Sequence, residues 1–277
     1  MLRKAYVEIT NTCNLACPFC HGTARPPRVM PPEDFFVIAG KLRPYTGYIY
    51  LHLLGEPLTH PKLKEILEIC RLLEYKVTVV TNGTLIGSAA DTLASCGCLY
   101  KICFSLHAFE ANALPDSLED YLGPILDFAE RSALAGTINV LKLWNGGGQN
   151  AMNEAILRAV SARFGAPLSP ARGGYAAAKN VYIDMADRFA WPDAQAPEAP
   201  PRFCMALRDQ LGVLADGTAV PCCLDAEGTL SLGNLLTDSV EDLLASARAA
   251  RLTEGFSQGK AVEDLCKRCD FAKRHFG

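Results

Sequence analysis

Short apolar runs, rich in β-branched and aromatic residues, alternate with amphipathic segments over the first two thirds of the chain. The runs that predict strands are 4–9, 47–54, 76–81, 100–106, 137–143 and 180–185. The clearest amphipathic segment, 61–74, predicts a helix with an apolar face made of Leu63, Ile66, Leu67, Cys70 and Leu73. Strands that alternate with helices predict a parallel sheet with right-handed crossovers. Such units form either an open doubly wound sheet or a partial barrel, so the pattern predicts an α/β fold.

Three further helices have predicted starting points. Ser88, with Asp91 three residues later, has the spacing of a capping box. Asp116 or Ser117 is expected to begin the helix after the fourth predicted strand, because Asp and Ser side chains cap free backbone N–H groups. Asn150 is expected to begin the helix after the fifth predicted strand for the same reason.

The last third of the chain has a different pattern. The alternation ends near 191–201, where three prolines among the last five residues predict a linker. Two short apolar runs within 211–221 flank an Asp-Gly pair, which predicts a β-hairpin. A short helix is expected at about 239–251. We therefore predict two domains, 1–200 and 201–277, the second a small unit of hairpin and helix.

Composition excludes several classes of protein. Apolar residues make up 49% of the 277 residues, which is enough for a sizeable core and argues against a disordered chain. The net charge of −3 argues against a generic nucleic-acid-binding protein. No apolar run approaches the length of a membrane helix, and the first residues lack the apolar block of a signal peptide. We expect a cytoplasmic protein that binds neither membranes nor nucleic acids.

Twelve cysteines stand out in this composition. Cytoplasmic thiols stay reduced, so clustered cysteines indicate a metal site or catalysis rather than disulfides. The front set, Cys13, Cys17 and Cys20, directly follows the first predicted strand. Three thiolates on one loop can hold three corners of a 4Fe–4S cube and leave one iron open to another chelator. A zinc site and ordinary core cysteines are the alternatives, although His21 is badly placed to complete a zinc tetrahedron with Cys20.

The spacing Cys13-x3-Cys17-x2-Cys20 matches the cluster motif of the radical SAM superfamily, and the chain resembles that superfamily. The resemblance implies that S-adenosylmethionine chelates the open iron through its amino and carboxylate groups. It places Phe19, just before the last of these cysteines, against the adenine. It also implies a partial (β/α)6 radical SAM barrel over about residues 1–200.

The resemblance extends to segments at the ends of later strands. Gly55-Glu56-Pro57, after the second predicted strand, resembles the family segment that binds the methionine amino group, although Leu54 stands where the family has a further glycine. The other residues that resemble family positions near the ligand are Asn82, Ser105 and Asn145. Sites in parallel α/β folds are built at the carboxyl ends of the strands, which is where all these residues are expected.

A second set of cysteines follows the linker and comprises Cys204, Cys222, Cys266 and Cys269. Four thiolates fit either a tetrahedral zinc ion or one fully ligated iron–sulfur cluster. The spacing resembles the SPASM/twitch appendage of the superfamily, which implies an auxiliary 4Fe–4S cluster. The full SPASM form carries further cysteines after the last pair, where this chain has His275, so the resemblance is to the short twitch form with one such cluster.

The remaining cysteines have less specific interpretations. Cys223 is either a ligand of the auxiliary cluster, a buried bystander, or a donor of a hydrogen atom to a substrate radical. The four cysteines expected in the core are Cys70, Cys96, Cys98 and Cys103.

The resemblance implies an enzyme that reductively cleaves S-adenosylmethionine to a 5′-deoxyadenosyl radical. We expect the radical to abstract a hydrogen atom from a small-molecule substrate, in an oxidation or an epimerisation, with the auxiliary cluster as an electron relay. An electron donor such as flavodoxin or ferredoxin is implied as a partner. The alternatives are a peptide or protein maturase of the radical SAM/SPASM type, which would take a peptide segment, and a non-enzymatic protein with two structural zinc sites.

No residue is assigned a catalytic role from the sequence. Polar residues near the predicted strand ends are candidates for contact with substrate: His52, His107, Glu110, Lys142, Arg172, Tyr175, Asp184 and Asp225. Arg25 and Arg28 follow the front cysteines closely and are further candidates for the pocket.

Overall fold

A computed structural model describes residues 2–165, 167–193, 195–201 and 203–272. Within these residues, eleven strands form one sheet. The strands are β1 (Lys4–Val7), β2 (Tyr48–Tyr50), β3 (Lys76–Thr81), β4 (Leu99–Ser105), β5 (Ile138–Gly146), β6 (Ser169–Ala171), β7 (Gly174–Ala178), β8 (Val181–Asp187), β9 (Gln210–Val213), β10 (Thr218–Val220) and β11 (Gly233–Asn234).

Six helices lie between strands in the chain, and three follow the last strand of the described residues. They are α1 (Pro32–Leu42), α2 (Leu63–Leu72), α3 (Ile86–Ser95), α4 (Ala108–Ala111), α5 (Leu118–Leu134), α6 (Asn153–Phe164), α7 (Val240–Ala245), α8 (Ala247–Ser257) and α9 (Asp264–Lys267). A short 3₁₀ turn, Pro57–Thr59, follows β2. No helix within the described residues has the length and apolar character needed to cross a membrane.

The strands β1, β2, β3, β4, β5 and β8 lie side by side in the order of the chain, and each neighbouring pair is parallel. A doubly wound sheet reverses its strand order at a switch point, whereas this order runs in one direction, as in a partial barrel. The six predicted strands are therefore confirmed, and of the two architectures left open by the pattern, the partial barrel is the one observed.

Alternate residues of these strands face two different environments. One face packs against the helices in the main apolar core, where Val7, Ile49, Val79 and Leu141 are fully buried. The other face, which we call the inner face, is more polar. Its residues on β1, β5 and β8 and around β2 include Lys4, Tyr6, Tyr50, His52, Lys142, Trp144 and Asp184.

The C-terminal part extends the same sheet. β9 and β10 form the predicted antiparallel hairpin, which is thereby confirmed. β9 also pairs in parallel with β1, with Lys4 opposite Gln210 and Val7 opposite Val213. At the other edge, β6 and β7 form a second hairpin that was not predicted. The C-terminal hairpin is therefore an edge of the barrel sheet and does not form a sheet of its own.

Several predicted helix boundaries are wrong. The helix predicted at 61–74 begins only at Leu63, because the chain first forms the 3₁₀ turn. Ser88 does not cap α3, which has already begun at Ile86, and its hydroxyl donates to the carbonyl of Leu85 at 3.0 Å. Asn150 precedes α6 by one turn, since its carbonyl accepts from the N–H of Asn153.

The two predictions for helices with serine caps have different outcomes. Ser117 caps α5 as expected, and its hydroxyl accepts from the N–H of Asp120 at 3.0 Å. The single helix expected at 239–251 is two helices, α7 and α8. They are separated at Ser246, which adopts ψ 150° and caps α8 through the N–H of Ala249.

Candidate active site

A cavity of about 470 Å³ opens at the carboxyl ends of the parallel strands. The loop after β1 brings the three front thiols, Cys13, Cys17 and Cys20, to its wall. The predicted cofactor-binding residues that line it are Phe19, Gly55, Glu56, Asn82 and Ser105. The loops converge here because parallel strands all end at the same edge of the sheet.

Side-chain amides contact two of the front thiols. Asn82 Nδ2 lies 3.8 Å from Cys13 Sγ, and Asn112 Nδ2 donates to Cys17 Sγ at 3.0 Å. Burial raises the pKa of both thiols, and the Asn112 amide opposes this by lowering the pKa of Cys17. Asn112 Oδ1 also accepts from the N–H of Ala16. Sequence reasoning missed Asn112, because Ala16 is 96 positions away and no local pattern marks the residue.

The donor set at this wall fits a 4Fe–4S cluster with one open iron. Three thiols of a single loop face the cavity, and among the described lining residues there is no fourth cysteine. The cavity beside them leaves space for a second chelator of the cluster. In the described part of the chain, no three His, Cys, Asp or Glu side chains form a group that could hold a single metal ion.

Glu56 follows β2 and is only 2% exposed. Its Oε2 accepts from the backbone N–H of Asn82 at 2.7 Å, and its Oε1 accepts from that of Leu58 at 3.0 Å. Burial raises the pKa of the carboxyl group, and the backbone N–H groups partly offset this. The carboxylate therefore joins the ends of β2 and β3 while it lines the cavity.

Gly55 is required by the close approach of two backbone segments. It adopts φ +73°, and a Cβ at this position would collide with the carbonyl oxygen of Thr10 and lie 2.9 Å from that of Thr12. Leu54, the departure from the family pattern, is buried and donates its N–H to Glu8 Oε2 at 3.1 Å. The backbone of the segment is thus held without the further glycine.

Glu8 is a buried residue whose carboxylate binds groups from distant parts of the chain, and sequence reasoning missed it. Arg25 binds both of its carboxylate oxygens, at 2.8 and 2.9 Å. The same carboxylate accepts from the N–H groups of Leu54 and Ala215. Arg25 Nε also donates to the carbonyl of Ala226 at 2.8 Å. One ion pair therefore joins the barrel, the cysteine loop and the C-terminal part of the chain.

Two predicted pocket residues, Arg25 and Arg28, do not line the cavity among the residues described. Arg25 is held by Glu8, and Arg28 Nε donates to the carbonyl of Ala215 at 3.1 Å. Both guanidinium groups fasten the cysteine loop to the residues that follow β9. Arg25 uses all three guanidinium nitrogens in bonds within the protein and Arg28 uses its Nε, so both side chains are held away from the cavity lining.

Two of the predicted cofactor-binding residues also lie away from the cavity lining. Pro57 is buried and begins the 3₁₀ turn after β2. Asn145 is buried near the end of β5, where its side chain exchanges two hydrogen bonds with that of Asn153 and donates to the carbonyl of Gln149 at 2.7 Å. Their positions indicate that they support the loops around the cavity.

Two aromatic side chains that line the cavity, Phe19 and Trp191, each contact a histidine ring. The Phe19 and His107 rings lie 4.9 Å apart, and burial lowers the pKa of His107 to about 4. Trp191 lines the cavity and stacks on His21, with the ring centroids 5.7 Å apart. The segment predicted as a linker between domains therefore reaches the mouth of the site.

The second set of thiols also meets at one place. Cys204, Cys222, Cys266 and Cys269 line an apolar cavity of about 30 Å³. Burial raises the pKa of Cys222 well above its usual value, and the neighbouring thiols add to this; burial also raises the pKa of Cys269 to about 11. Thiolates here would repel one another unless a cationic core bound them, so the donor set fits an auxiliary iron–sulfur cluster. His275 lies outside the described residues.

Cys223 has different surroundings from its chain neighbour Cys222. It packs beside the inner face against a cluster that contains Tyr6, Leu53 and Val220, and its thiol hydrogen-bonds with the Tyr6 hydroxyl. It does not line the second thiol cavity. This position does not support a role as a cluster ligand. Of the cysteines expected in the core, Cys70, Cys98 and Cys103 are buried and Cys96 is half-buried.

The remaining candidates for substrate contact divide into three groups. The carboxylate of Glu110 accepts from the backbone N–H groups of Ala151 and Met152. The carboxylate of Asp225 accepts from those of Thr229 and Leu230. Arg172 is exposed and Tyr175 is half-buried. His52, Lys142 and Asp184 belong to the inner face, and His52 lines the first cavity.

Two family models match this chain. The model of the radical SAM superfamily matches residues 7–151, which is just over half of the chain. The model of an iron–sulfur cluster-binding domain, SPASM, matches residues 204–270. The two matches include all seven cysteines that line the two cavities.

One curated relative matches over a shorter stretch. A probable GTP 3′,8-cyclase from Methanocaldococcus jannaschii is 33% identical over 101 residues, which cover 35% of this chain and 34% of that protein. This chain is therefore similar to about a third of that relative.

Solved structures resemble the whole fold. The structure of BtrN in complex with AdoMet and 2-DOIA has a TM-score of 0.64 at 16% identity and is matched over 98% of this chain and 93% of that one. Streptococcus suis SuiB bound to the precursor peptide SuiA has a TM-score of 0.59 at 14% identity, over 98% and 71%. AnSMEcpe with bound AdoMet has a TM-score of 0.63 at 12% identity, over 99% and 87%. At these identities the likeness concerns the fold.

Proposed function

This chain belongs to the radical SAM superfamily, and from that premise we propose that it removes a hydrogen atom from a small-molecule substrate, in an oxidation or an epimerisation. It is an enzyme with S-adenosylmethionine and iron–sulfur clusters as cofactors, which excludes the alternative of two structural zinc sites. The observation that carries the proposal is the cavity of about 470 Å³ between the front thiols and the inner face. This volume lies in the range of sites for small organic molecules.

We assign Cys13, Cys17 and Cys20 to the first cluster. When bound, the cluster and S-adenosylmethionine supply a 5′-deoxyadenosyl radical by one-electron cleavage. The chain's own residues bind and orient the reactants and keep water out. Phe19 and Leu53 contribute apolar surface to the cavity, which protects radical chemistry from solvent.

The polar residues of the lining are assigned to binding S-adenosylmethionine. Gly55 allows the backbone to approach closely, and Glu56 lines the cavity while it accepts from the N–H of Asn82. Ser105 lies at the end of β4 on the same wall. We assign Pro57 and Asn145 to supporting these loops.

We assign Cys204, Cys222, Cys266 and Cys269 to one auxiliary cluster that relays electrons. Four cysteine ligands leave no iron open to a substrate, so electron transfer is the role that the donor set supports. An oxidation needs such a relay, because the substrate radical must lose an electron. The division into domains 1–200 and 201–277 is part of the same proposal, and the start of the SPASM match at residue 204 supports it.

The second candidate is a peptide or protein maturase. The likeness to SuiB, whose structure was solved with a precursor peptide, favours it. The likeness to BtrN, solved with AdoMet and 2-DOIA and matched over 93% of its chain, favours the small molecule.

The transfer of deuterium to 5′-deoxyadenosine tests the proposal. The reduced holoenzyme is incubated without oxygen with S-adenosylmethionine and an extract of fully deuterated cells, divided by ultrafiltration into small molecules and polymers. We expect deuterium in 5′-deoxyadenosine with the small-molecule fraction, and none with Cys13→Ala. Deuterium only with the polymer fraction would favour the maturase. Production of 5′-deoxyadenosine by Cys13→Ala would contradict the assignment of the front site.

A further inference from the structure

Two lysine ammonium groups lie on the inner face of the barrel against aromatic rings. Lys4 Nζ is 5.3 Å from the ring centroid of Tyr6 and 5.5 Å from that of Tyr50. Lys142 Nζ is 4.2 Å from the ring of Trp144. A cation–π contact favours the charge through the face of the ring, and it uses none of the three N–H donors of an ammonium group. The donors therefore remain available to a ligand.

Neither lysine has an ionic partner within the described part of the chain. Asp184 is the neighbour of Lys142 in the pairing of β5 with β8, but its Oδ2 accepts from Trp144 Nε1 at 3.0 Å. Even when the charge of Asp184 is counted against the two lysines, one positive charge is left. A half-buried ammonium group has lost some of its bound water molecules. Without a protein partner to replace their hydrogen bonds, this loss of hydration costs free energy.

His52 links these charges to the cavity. Its ring lies 5.6 Å from that of Tyr6 and 6.0 Å from that of Tyr50, and the side chain lines the cavity beside the front thiols. Its Nδ1 is buried without a hydrogen-bond partner among the described residues. Burial, and then the charges of Lys142 and Lys4, lower the pKa of His52 to about 3, so the imidazole is neutral and the lysines alone carry the charge.

We infer that the inner face selects an anionic small-molecule substrate, whose carboxylate or phosphate group binds the ammonium groups of Lys4 and Lys142. Such a group supplies the charge-assisted hydrogen bonds that both lysines lack. His52 completes the site, because its ring can donate or accept one hydrogen bond with a polar group next to the anion. This inference rests on the proposed function, since it names the class of the substrate.

A pair of probes of nearly equal shape tests the charge. Trifluoroacetate and trifluoroacetamide differ in charge but little in size, and fluorine line broadening reports their binding to the holoenzyme saturated with S-adenosylmethionine. Saturation keeps the probes out of the cofactor site. We expect the anion to bind more tightly than the amide by about tenfold, the scale of a charge–charge contact in a partly buried site.

Single substitutions identify the residues responsible. Lys142→Gln and Lys4→Gln should each lower the preference for the anion several-fold, whereas Lys142→Arg keeps the charge and should retain it. Lys64→Gln, on the outer face of α2, is the matched control and should behave as the wild type. Circular dichroism and iron content show which variants are folded and loaded, and Lys4→Gln keeps the test decisive if Lys142→Gln does not fold.

The same samples separate the inference from its premise. Formation of 5′-deoxyadenosine from S-adenosylmethionine alone is measured in the wild type and in the control Lys64→Gln, which should match it. If the wild type forms none, the proposed function fails. If cleavage is normal but the wild type binds both probes equally, or does not bind the anion, or if its preference survives both Lys142→Gln and Lys4→Gln, the inference of an anionic substrate is overturned.

Discussion

Gly55 and Glu56 show how single residues shape the wall of the cavity. Both follow β2, and the N–H of Glu56 donates to the carbonyl of Thr12 at 2.9 Å. The carboxylate of Glu56 is then directed toward β3. The resemblance assigned this segment to binding the methionine amino group. The structure adds a role in holding two strand ends together, and the two roles have separable consequences.

Substitution of Gly55 should be far more harmful than substitution of an ordinary glycine with positive φ. In Gly55→Ala, the new Cβ collides with the carbonyl of Thr10, so the loop must move. Gly165→Ala is the matched control, because Gly165 has φ +65° and open space around it. We expect the control to cost about 1 kcal/mol and Gly55→Ala clearly more, measured by urea unfolding. Equal costs would contradict the close approach.

Glu56→Gln should destabilise the protein as well as weaken binding of S-adenosylmethionine. A glutamine presents one NH₂ group where the carboxylate accepts from a backbone N–H, so one buried hydrogen bond is lost and two donors face each other. The expected loss is about 1–3 kcal/mol in the free energy of unfolding. Glu68→Gln, on the exposed side of α2, should change little. A Glu56→Gln protein with wild-type stability would show that the backbone bonds are unimportant.

Among the elements, the loop that carries the front cysteines depends on contacts with distant strands. Glu8 at the end of β1 receives Arg25 from the end of this loop, and the N–H of Ala215 from the turn after β9. Asn112, after α4, receives the N–H of Ala16 from the middle of the loop. The loop has no regular secondary structure in its centre, so these bonds are what hold its thiols at the cavity.

Arg25→Met should be strongly destabilising, because it leaves the fully buried Glu8 carboxylate without its positive partner. Breaking a buried ion pair from one side costs about 3–5 kcal/mol. Arg158→Met removes an exposed pair with Glu154 and is the control that should change stability little. The double variant Glu8→Gln with Arg25→Met should recover part of the loss in urea unfolding. Additive effects would mean that the two side chains do not interact.

At the scale of the whole molecule, the C-terminal part is built into the barrel. β9 lies beside β1 in the same sheet, and Arg28 donates to the carbonyl of Ala215. The segment 191–201 is hydrogen-bonded to the residues between Cys266 and Cys269. Arg268 donates to the carbonyl of Ala196, and the N–H of Ala199 donates to the carbonyl of Lys267. Trp191 of the same segment lines the first cavity. Contacts within one chain thus connect the two thiol sites.

The two sites should nevertheless load separately. The wild type should contain about eight irons per chain, four in each cluster. Replacing both Cys266 and Cys269 by alanine should remove about half the iron, spare cleavage of S-adenosylmethionine and abolish product formation. Cys223→Ser is the matched control and should keep all the iron, because Cys223 does not line the second cavity. Iron analysis decides the outcome, and loss of iron in Cys223→Ser would make that residue a ligand.

The sequence by itself determined what depends on neighbouring residues. The period of the apolar positions located all six barrel strands, and the spacing of the seven cysteines indicated two separate clusters. The helix start was predicted at Asp116 or Ser117 from the capping tendency of these residue types, and the structure shows that Ser117 is the cap. Helix starts at Ser88 and Asn150 were misplaced because the preceding loops, held by other parts of the fold, decide where the first turn closes.

Only the tertiary structure decided which distant side chains meet. The Glu8–Arg25 junction, the amide of Asn112 on Cys17, and the pairing of β9 with β1 all join residues whose separation in the chain carries no periodic signal. Alternation within a strand sets which residues of that strand share a face with Lys4 or Lys142, but the shared position of the two lysines on the inner face follows from the register of the strands between them. The spacing of nearby residues can be read directly from the sequence. These contacts cannot, because they form only when packing brings distant strand ends and loops together in space.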